Sequence, residues 1–300
     1  MYVITGATGN TGSVVAKRLL AQGKKVRAIG RSAERLQPLV NAGAEAFVAD
    51  LGDSGALSKA FAGAEAVYVL LPPDLSTKDP LTDRARITDS IASALEKAKV
   101  KYVVSLSSIG AEQSEKVGPV FGLHRLEQKL NVIPGLNVLH LRAGYFMENT
   151  LAQVGTIQVM GTAAGPLRGD LKLPFIATQD IGEAAAAALK KLDFNDRQTR
   201  ELQGQRDVSM NEVAAIIGAA IGQRDLHYLH LPDEQVRPVL TQLGMSPTGA
   251  DLLLEMAAAL NSGLMRPLER RSPQNTTPTS YETFVAKVFV PAYKGKGKAA

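Results

Sequence analysis

Short apolar runs alternate with longer mixed stretches through the first half of the chain. The runs lie at residues 2–4, 25–29, 44–49, 66–71, 101–106 and 137–141. They are rich in Val, Ile and Leu without strict alternation, which is typical of parallel strands buried on both faces. Helical spacing fills the gaps, at residues 12–22, 35–42, 54–61, 82–97 and 122–131. This repeat of strand and helix predicts an α/β fold with a doubly wound parallel sheet.

The pattern changes near residue 150. Residues 155–174, rich in Gly and small side chains, predict a loop with short strands. Three later segments have capping-box spacing and each predicts the start of a helix: 180–183, before a helix that ends near Leu192; 209–212; and 279–282, before a helix that ends near Phe289. We also expect a strand at 226–231, helices at 236–243 and 249–261, and a long loop at 264–278.

These patterns divide the chain into three parts. Residues 1–150 form the first domain, and residues 151–293 form a smaller lobe that is not fully separable from the sheet. Residues 294–300 form a flexible tail of Gly, Ala and Lys.

Composition excludes several classes of protein. The 300 residues contain no cysteine, which excludes disulfides, thiolate nucleophiles and cysteine-ligated metals. The net charge is +5, but three tail lysines contribute 3 of it, leaving 5 − 3 = +2 elsewhere. With aromatic residues at only 5%, nucleic-acid binding is not expected. No apolar run reaches about 18 residues and the N-terminus lacks a secretory pattern, so we expect no membrane association and a cytoplasmic location.

The strongest chemical signal follows the first predicted strand. Glycines recur at every third position from Gly6 to Gly12, where a helix is predicted to open. Glycine lets the backbone approach a diphosphate closely, and a helix N-terminus offers free N–H groups to an anion. We interpret this turn as a nucleotide-binding site, although glycine-rich turns also occur without ligands. The predicted contacts are Gly6, Ala7, Thr8, Gly9, Asn10, Thr11 and Gly12.

The tip of the second predicted strand indicates which dinucleotide is bound. An acid at this place in the fold holds the ribose of NAD, whereas an arginine accommodates the 2′-phosphate of NADP. Here the strand runs into Arg31 and Ser32, and the nearest acid, Glu34, lies in the following helix. We therefore expect NADP(H) to be preferred over NAD(H). The alternative is that Arg31 is simply a solvated residue near a helix start.

Two more strand ends are candidates for the adenosine side. Asp50 and Leu51 follow the third strand, where a carboxylate could accept from the adenine amino group, or could instead cap the helix that begins near Asp53. Leu71 and Pro72 follow the fourth strand and are expected to form a wall beside the ribose.

These residues together resemble the NmrA-like group of atypical short-chain dehydrogenases/reductases. The resemblance covers nearly the whole chain and is carried by residues 5–12, 31, 50–51, 105–108, 141–149, 250–263 and 277–293. It implies a Rossmann-type NADP(H)-binding domain and a small C-terminal α/β lobe that forms a cleft with it. The group is similar to NAD(P)H-dependent quinone and azo-dye reductases. It also contains non-catalytic sensors of NADP(H) that act through protein partners.

The resemblance also suggests residues for the nicotinamide side. Similar quinone reductases carry His-x-x-x-Glu-Lys after the fifth strand, and here the run is His124 to Lys129 with Gln128 in place of Glu. His124 is therefore the candidate acid or orienting donor, with a surface histidine as the alternative. Ser107, Gly144 and Tyr145 are expected beside the cofactor. For Ser107 a turn-capping role, and for Tyr145 core packing, is the alternative.

The chain lacks the Tyr-x-x-x-Lys pair that conventional short-chain dehydrogenases use to protonate an alkoxide. Reduction of a quinone needs less, because its delocalised anion can take a proton from water. We therefore expect an NADPH-dependent reductase of a small aromatic, quinoid or azo acceptor, with a non-catalytic NADP(H) sensor as the alternative. We expect no metal, because His227 and His230 would point to opposite faces of a strand.

Overall fold

The computed structural model describes residues 1–72 and 74–295. Its strands are β1 (Tyr2–Ile4), β2 (Val26–Gly30), β3 (Glu45–Val48), β4 (Ala66–Val69), β5 (Tyr102–Ser108), β6 (Asn137–Ala143), β7 (Tyr145–Phe146), β8 (Ala163–Gly165), β9 (Lys172–Ile176), β10 (Arg197–Leu202), β11 (Asp207–Ser209) and β12 (Tyr228–His230). Its helices are α1 (Asn10–Ala21), α2 (Ala33–Asn41), α3 (Ser54–Phe61), α4 (Pro80–Lys97), α5 (Phe121–Asn131), α6 (Gln153–Met160), α7 (Thr178–Lys191), α8 (Met210–Ile221), α9 (Asp233–Gln242), α10 (Pro247–Asn261), α11 (Tyr281–Phe284) and α12 (Val290–Tyr293). A π-helical stretch, Val285–Phe289, joins the last two helices.

Seven parallel strands form the central sheet, in the order β10-β6-β5-β4-β1-β2-β3. The chain leaves β1 toward β2 and β3 and then returns to β4 on the other side. The strand order therefore reverses between β1 and β4. Ligands of open α/β sheets bind at the carboxyl ends of the strands beside such a reversal. The predicted doubly wound α/β fold is confirmed.

Apolar side chains cover both faces of this sheet. One face packs on α1, α2 and α7 through residues such as Leu19, Leu139 and Ile181. The other packs on α3, α4 and α5 through residues such as Ile91 and Val103. Burial on both sides explains why the strand sequences do not alternate between apolar and polar residues.

The segment after residue 150 contributes to both parts of the molecule. Strand β10 extends the central sheet beside β6, and α7 packs on α1. The rest forms a lobe with two small sheets, β11-β9-β7 and β12-β8, around a separate apolar core that includes Phe175, Val213, Tyr281 and Phe289. A fourth small cluster lies between α9 and α10. None of the described helices is both long and apolar enough to span a membrane.

Three expectations for this segment need correction. Residues 153–160 form helix α6, which the loop prediction for 155–174 missed because its only buried residue is Ile157 and no apolar stripe marks it. Helix α7 begins at Thr178, so a cap at Asp180 was wrong; that carboxylate instead accepts from the N–H and hydroxyl of Thr279, at 2.9 and 2.7 Å. Helix α11 is capped by Ser280, one residue later than the predicted start at Thr279.

The capping box at residues 209–212 is confirmed. The Ser209 hydroxyl accepts from the Glu212 N–H at 3.2 Å, and the Glu212 carboxylate accepts from the Ser209 N–H at 2.8 Å. Most of the tail predicted to be flexible, residues 296–300, lies outside the described residues.

Candidate functional site

The glycine turn lies where β1 runs into α1, at the reversal of strand order. Gly6 adopts a φ of +57°, which favours glycine. A Cβ on Gly12 would lie 2.3 Å from the Gly6 carbonyl oxygen, so only glycine fits there without a shift of backbone. The turn is therefore as compact as its sequence predicted.

The start of α1 is free to bind an anion. Its N-cap residue is Gly9, no side chain caps it, and no acidic residue lies in its first turn. Its free N–H groups and positive dipole end fit a diphosphate. Gly9 and Asn10 are exposed, whereas Thr11 is buried and its hydroxyl accepts from the Tyr68 hydroxyl at 2.9 Å. The Thr11 side chain therefore links the start of α1 to β4 in the protein interior.

Arg31 is exposed beyond the end of β2, beside this turn. Ser32 is the N-cap of α2, because its hydroxyl accepts from the Arg35 N–H at 3.3 Å. Asp74 lies on the loop between β4 and α4. Hydrogen bonds from Ser76 hold the pKa of the Asp74 carboxyl below its ordinary value, and the positive charges of Arg31 and Arg84 act in the same direction.

The adenosine candidates lie at the neighbouring strand ends. Asp50 is exposed, and its Oδ1 accepts from the Gly52 N–H at 2.7 Å. The alternative that Asp50 caps α3 was wrong, because Asp53 is the cap and accepts from the Ala56 N–H at 2.9 Å. Leu51 and Leu71 are mostly buried in the core beneath, and Pro72 is half-buried beside Leu71.

A buried charged network that the sequence analysis missed lies below the ends of β5 and β6. The Ser107 hydroxyl donates to Glu127 of α5 at 2.6 Å. Arg142 of β6 donates to both oxygens of that carboxylate, at 3.0 and 2.7 Å, and to Glu112 at 3.1 Å. The Ser107 side chain is thus committed to the protein interior. An arginine within the apolar run at 137–143 was the available signal.

The electrostatics of this network favour a charged Glu127. Burial alone would raise its pKa, but hydrogen bonds from Arg142 and Ser107 and the nearby positive charge outweigh burial and leave the pKa lowered. His140, two residues before Arg142 on the same strand face, is also buried. Burial lowers its pKa to about 4, against the opposing charge of Glu127, so its ring is neutral near pH 7.

His124 lies on the first turns of α5. Its Nδ1 is 2.9 Å from the Ala111 carbonyl oxygen, and its ring stacks on Phe121 with centroids 6.2 Å apart. Since a carbonyl can only accept, Nδ1 carries a proton, and this hydrogen bond fixes the orientation of the ring. Gln128 is exposed, and Lys129 pairs with Asp89 of α4 at 2.9 Å. His124 and Lys129 line one surface pocket on α5, where the Lys129 ammonium is paired with Asp89.

Gly144 and Tyr145 follow β6. A Cβ on Gly144 would lie 2.2 Å from the Pro174 carbonyl oxygen, so the backbone of β9 excludes any larger residue. Tyr145 is half-buried, with its ring 5.1 Å from that of Phe175 in an edge-on arrangement. Burial raises the pKa of Tyr145 to about 12, so it remains a neutral phenol at physiological pH.

Within the described residues, no group of three or more His, Asp or Glu side chains could hold a metal ion. His230 ends β12 and His227 precedes that strand. Both are exposed. The chemistry of the site therefore depends on backbone N–H groups, arginines, and the groups around the ends of β5 and β6.

Curated relatives match most of the chain. An NAD(P)H azoreductase of Xenophilus azovorans is 28% identical over 258 residues, covering 86% of each chain. Quinone oxidoreductase 2 of Escherichia coli is 25% identical over 268 residues, covering 88% of this chain and 89% of the relative. A crystal structure of an NADPH-dependent quinone oxidoreductase of Escherichia coli complexed with NADPH has a TM-score of 0.82 at 24% identity. It covers 96% of this chain and 100% of that one, and shows the shared fold.

The family is shown by a match over almost the entire length. The model of the NmrA-like family matches residues 2–284, which include the glycine turn, the twelve strands named above and helix α11. This chain belongs to the NmrA-like family.

Proposed function

We propose that this protein is an NADPH-dependent reductase that transfers hydride to a quinone or azo-type acceptor. The observation that carries the proposal is the pairing of an uncapped helix start at the glycine turn with Arg31 at the neighbouring strand tip. The first suits a diphosphate, and the second suits the additional phosphate that distinguishes NADPH from NADH.

We assign parts of the cofactor to parts of the site as follows. The turn from Gly6 to Gly12 would hold the diphosphate and Arg31 the 2′-phosphate. Asp50 would accept from the adenine amino group, through the oxygen that does not bind the Gly52 N–H. Gly144 and Tyr145 would lie beside the nicotinamide. NADPH supplies the hydride when it is bound.

The acceptor class is supported by the named relatives and by the chemistry at the ends of β5 and β6. The azoreductase and the quinone oxidoreductase are similar over most of this chain. The Ser107 hydroxyl is held by Glu127, and the phenol of Tyr145 packs against Phe175. With no Tyr-x-x-x-Lys acid, the site suits an acceptor whose anion is delocalised, with water as the proton source.

His124 remains the candidate for orienting the acceptor. Its neutral ring would accept a hydrogen bond at Nε2, and its protonated ring would donate one. The carbonyl of Ala111 fixes the ring in either state. We therefore assign His124 an orienting role, with water as the proton source.

Oxidation of NADPH, followed at its absorbance band with menadione or an azo dye present, tests this proposal. We expect turnover by the wild-type protein and very little by Gly12→Ala, whose added Cβ would clash with the backbone of the glycine turn. Tight NADPH binding without turnover across a chemically broad acceptor panel would contradict it. That result would favour the alternative, a non-catalytic NADP(H) sensor acting through a protein partner.

A further inference from the structure

Arg84 of α4 is buried without the partners that a guanidinium requires. Its side chain is only 6% exposed. One hydrogen bond is made, from Nη1 to the Pro119 carbonyl oxygen at 2.7 Å, while the buried Nε has no partner within the described residues. A guanidinium has five N–H donors, and leaving them unpaired in the interior is unfavourable.

The electrostatics of Arg84 indicate an incomplete site. Burial lowers its pKa to about 10, and within the described chain Asp74 is the carboxylate whose charge opposes that effect. Within the described chain Asp74 forms no ion pair with it, and the Asp74 Oδ1 accepts from the Ser76 N–H and hydroxyl at 3.0 and 2.7 Å. A buried cation with one neutral acceptor is a group for which an anionic partner is expected.

Arg84 lies near the edge of the sheet where the strands end. It is one turn into α4, and a Cβ on Gly122 of α5 would lie 2.9 Å from its Cδ. Helices α4 and α5 follow β4 and β5, so their first turns are at the carboxyl ends of those strands. Arg31, by contrast, follows β2 on the other side of the strand reversal. Both arginines lower the pKa of Asp74, so both lie near that carboxylate at this edge of the sheet.

The surrounding rim is held in place by the C-terminal lobe. The Ser246 N–H, at the start of α10, donates to the Leu75 carbonyl oxygen at 3.0 Å and so fixes the loop between β4 and α4. On the same helix, the Leu252 carbonyl oxygen would lie 1.9 Å from a Cβ on Gly118, which immediately precedes Pro119. Thr77, on the same loop, has a buried hydroxyl without a partner in the described chain.

We propose that Arg84 recognises an anionic oxygen group on the acceptor, such as a sulfonate, carboxylate or phosphate. The proposal rests on the proposed reductase function and extends it to a substrate class, acidic aromatic acceptors. A planar guanidinium binds such oxygens through parallel N–H donors, and in Arg84 the Nε donor has no partner in the described chain while Nη1 donates to Pro119.

Calorimetry on the NADP⁺ complex tests this directly, because the oxidised cofactor permits binding without turnover. Two ligands are compared: a sulfonated anthraquinone and the same ring system with a neutral hydroxymethyl group in place of the sulfonate. We expect Arg84→Met to weaken binding of the sulfonated ligand by about tenfold or more, the effect of losing a charge-assisted hydrogen bond. Binding of the neutral ligand and of NADP⁺ should be unchanged.

Arg84→Lys and Arg125→Met complete the design. Arg84→Lys keeps the charge and should restore part of the preference for the sulfonate if Arg84→Met unfolds. Arg125→Met removes an exposed arginine from α5 and should leave the affinity for both anthraquinones unchanged. Equal losses for both anthraquinones, or no loss for the sulfonated one, would overturn the assignment. Turnover of neutral menadione by the same variants separately reports whether the reductase proposal holds.

Discussion

At the scale of single residues, the clearest constraint is Gly12. A side chain there would meet the Gly6 carbonyl oxygen at 2.3 Å, and backbone atoms cannot move aside as the end of a flexible side chain can. We predict that Gly12→Ala lowers the free energy of unfolding by about 1–3 kcal/mol and abolishes calorimetric binding of NADPH. Urea unfolding and calorimetry on the same preparation measure both effects.

Gly9→Ala is the matched control for this change. Gly9 has a φ of −91°, which alanine adopts readily, and its added Cβ would lie 3.3 Å from the same carbonyl oxygen. We expect Gly9→Ala to lose less stability than Gly12→Ala. The variant should fold and should retain NADPH binding, with an affinity below that of the wild type. Equal behaviour of the two variants would show that the turn is less tightly packed than the distances indicate.

His140 makes stability depend on pH. Its folded pKa of about 4 lies below the unfolded value of about 6.5, so protons bind preferentially to the unfolded chain between these values. The stabilisation is complete above about pH 6.5 and is lost as the pH falls toward 4, by about 3 kcal/mol. Urea unfolding across this range should show a flatter acid decline for His140→Gln. The same slope in both proteins would contradict this account.

The missed network illustrates what single residues in a sequence cannot reveal. Glu127 and Arg142 are 15 positions apart on different elements, and their pairing depends on how α5 packs on β6. The sequence shows each charge but not its partner. The glycine turn was predictable because all of its atoms come from one short segment.

At the scale of elements, some helix starts are capped by residues nearby in the sequence and others by residues far away in the sequence. Ser209 and Glu212 cap α8 with side chains three residues apart, so their spacing predicted the start correctly. Helix α7 is capped instead by Glu148, whose carboxylate accepts from the Thr178 N–H at 3.0 Å and from its hydroxyl at 2.6 Å. That cap comes from 30 residues earlier in the chain, which is why a local pattern misplaced it.

The local cap carries a measurable share of stability. We predict that Ser209→Ala lowers the free energy of unfolding by about 1 kcal/mol, because the Glu212 N–H loses its acceptor. Ser58→Ala is the control, since this hydroxyl lies inside α3, donates to the Ser54 carbonyl oxygen and caps nothing. Urea unfolding should show the smaller change for Ser58→Ala. A larger loss in the control would mean that the capping box does not hold α8.

At the scale of the whole molecule, the sheet was predictable and the lobe was only partly so. Continuous apolar runs identified the strands because both faces of the sheet are covered. Helix α6 was missed because it has one buried residue and no apolar stripe. Likewise, the rim around Arg84 is assembled from α4, α5 and α10, so no single segment of sequence contains it.

The central claim is that the Arg31 guanidinium, beyond the end of β2, makes this protein prefer NADPH, which carries a 2′-phosphate, over NADH, which does not. Calorimetric titration with NADPH and NADH, on wild type, Arg31→Glu and the charge-matched control Arg125→Glu, tests it most directly. We predict that wild type and Arg125→Glu prefer NADPH by about tenfold or more, and that Arg31→Glu loses this preference through weaker NADPH binding. Equal affinities in the wild type, or equal losses for both cofactors in Arg31→Glu, would contradict the account.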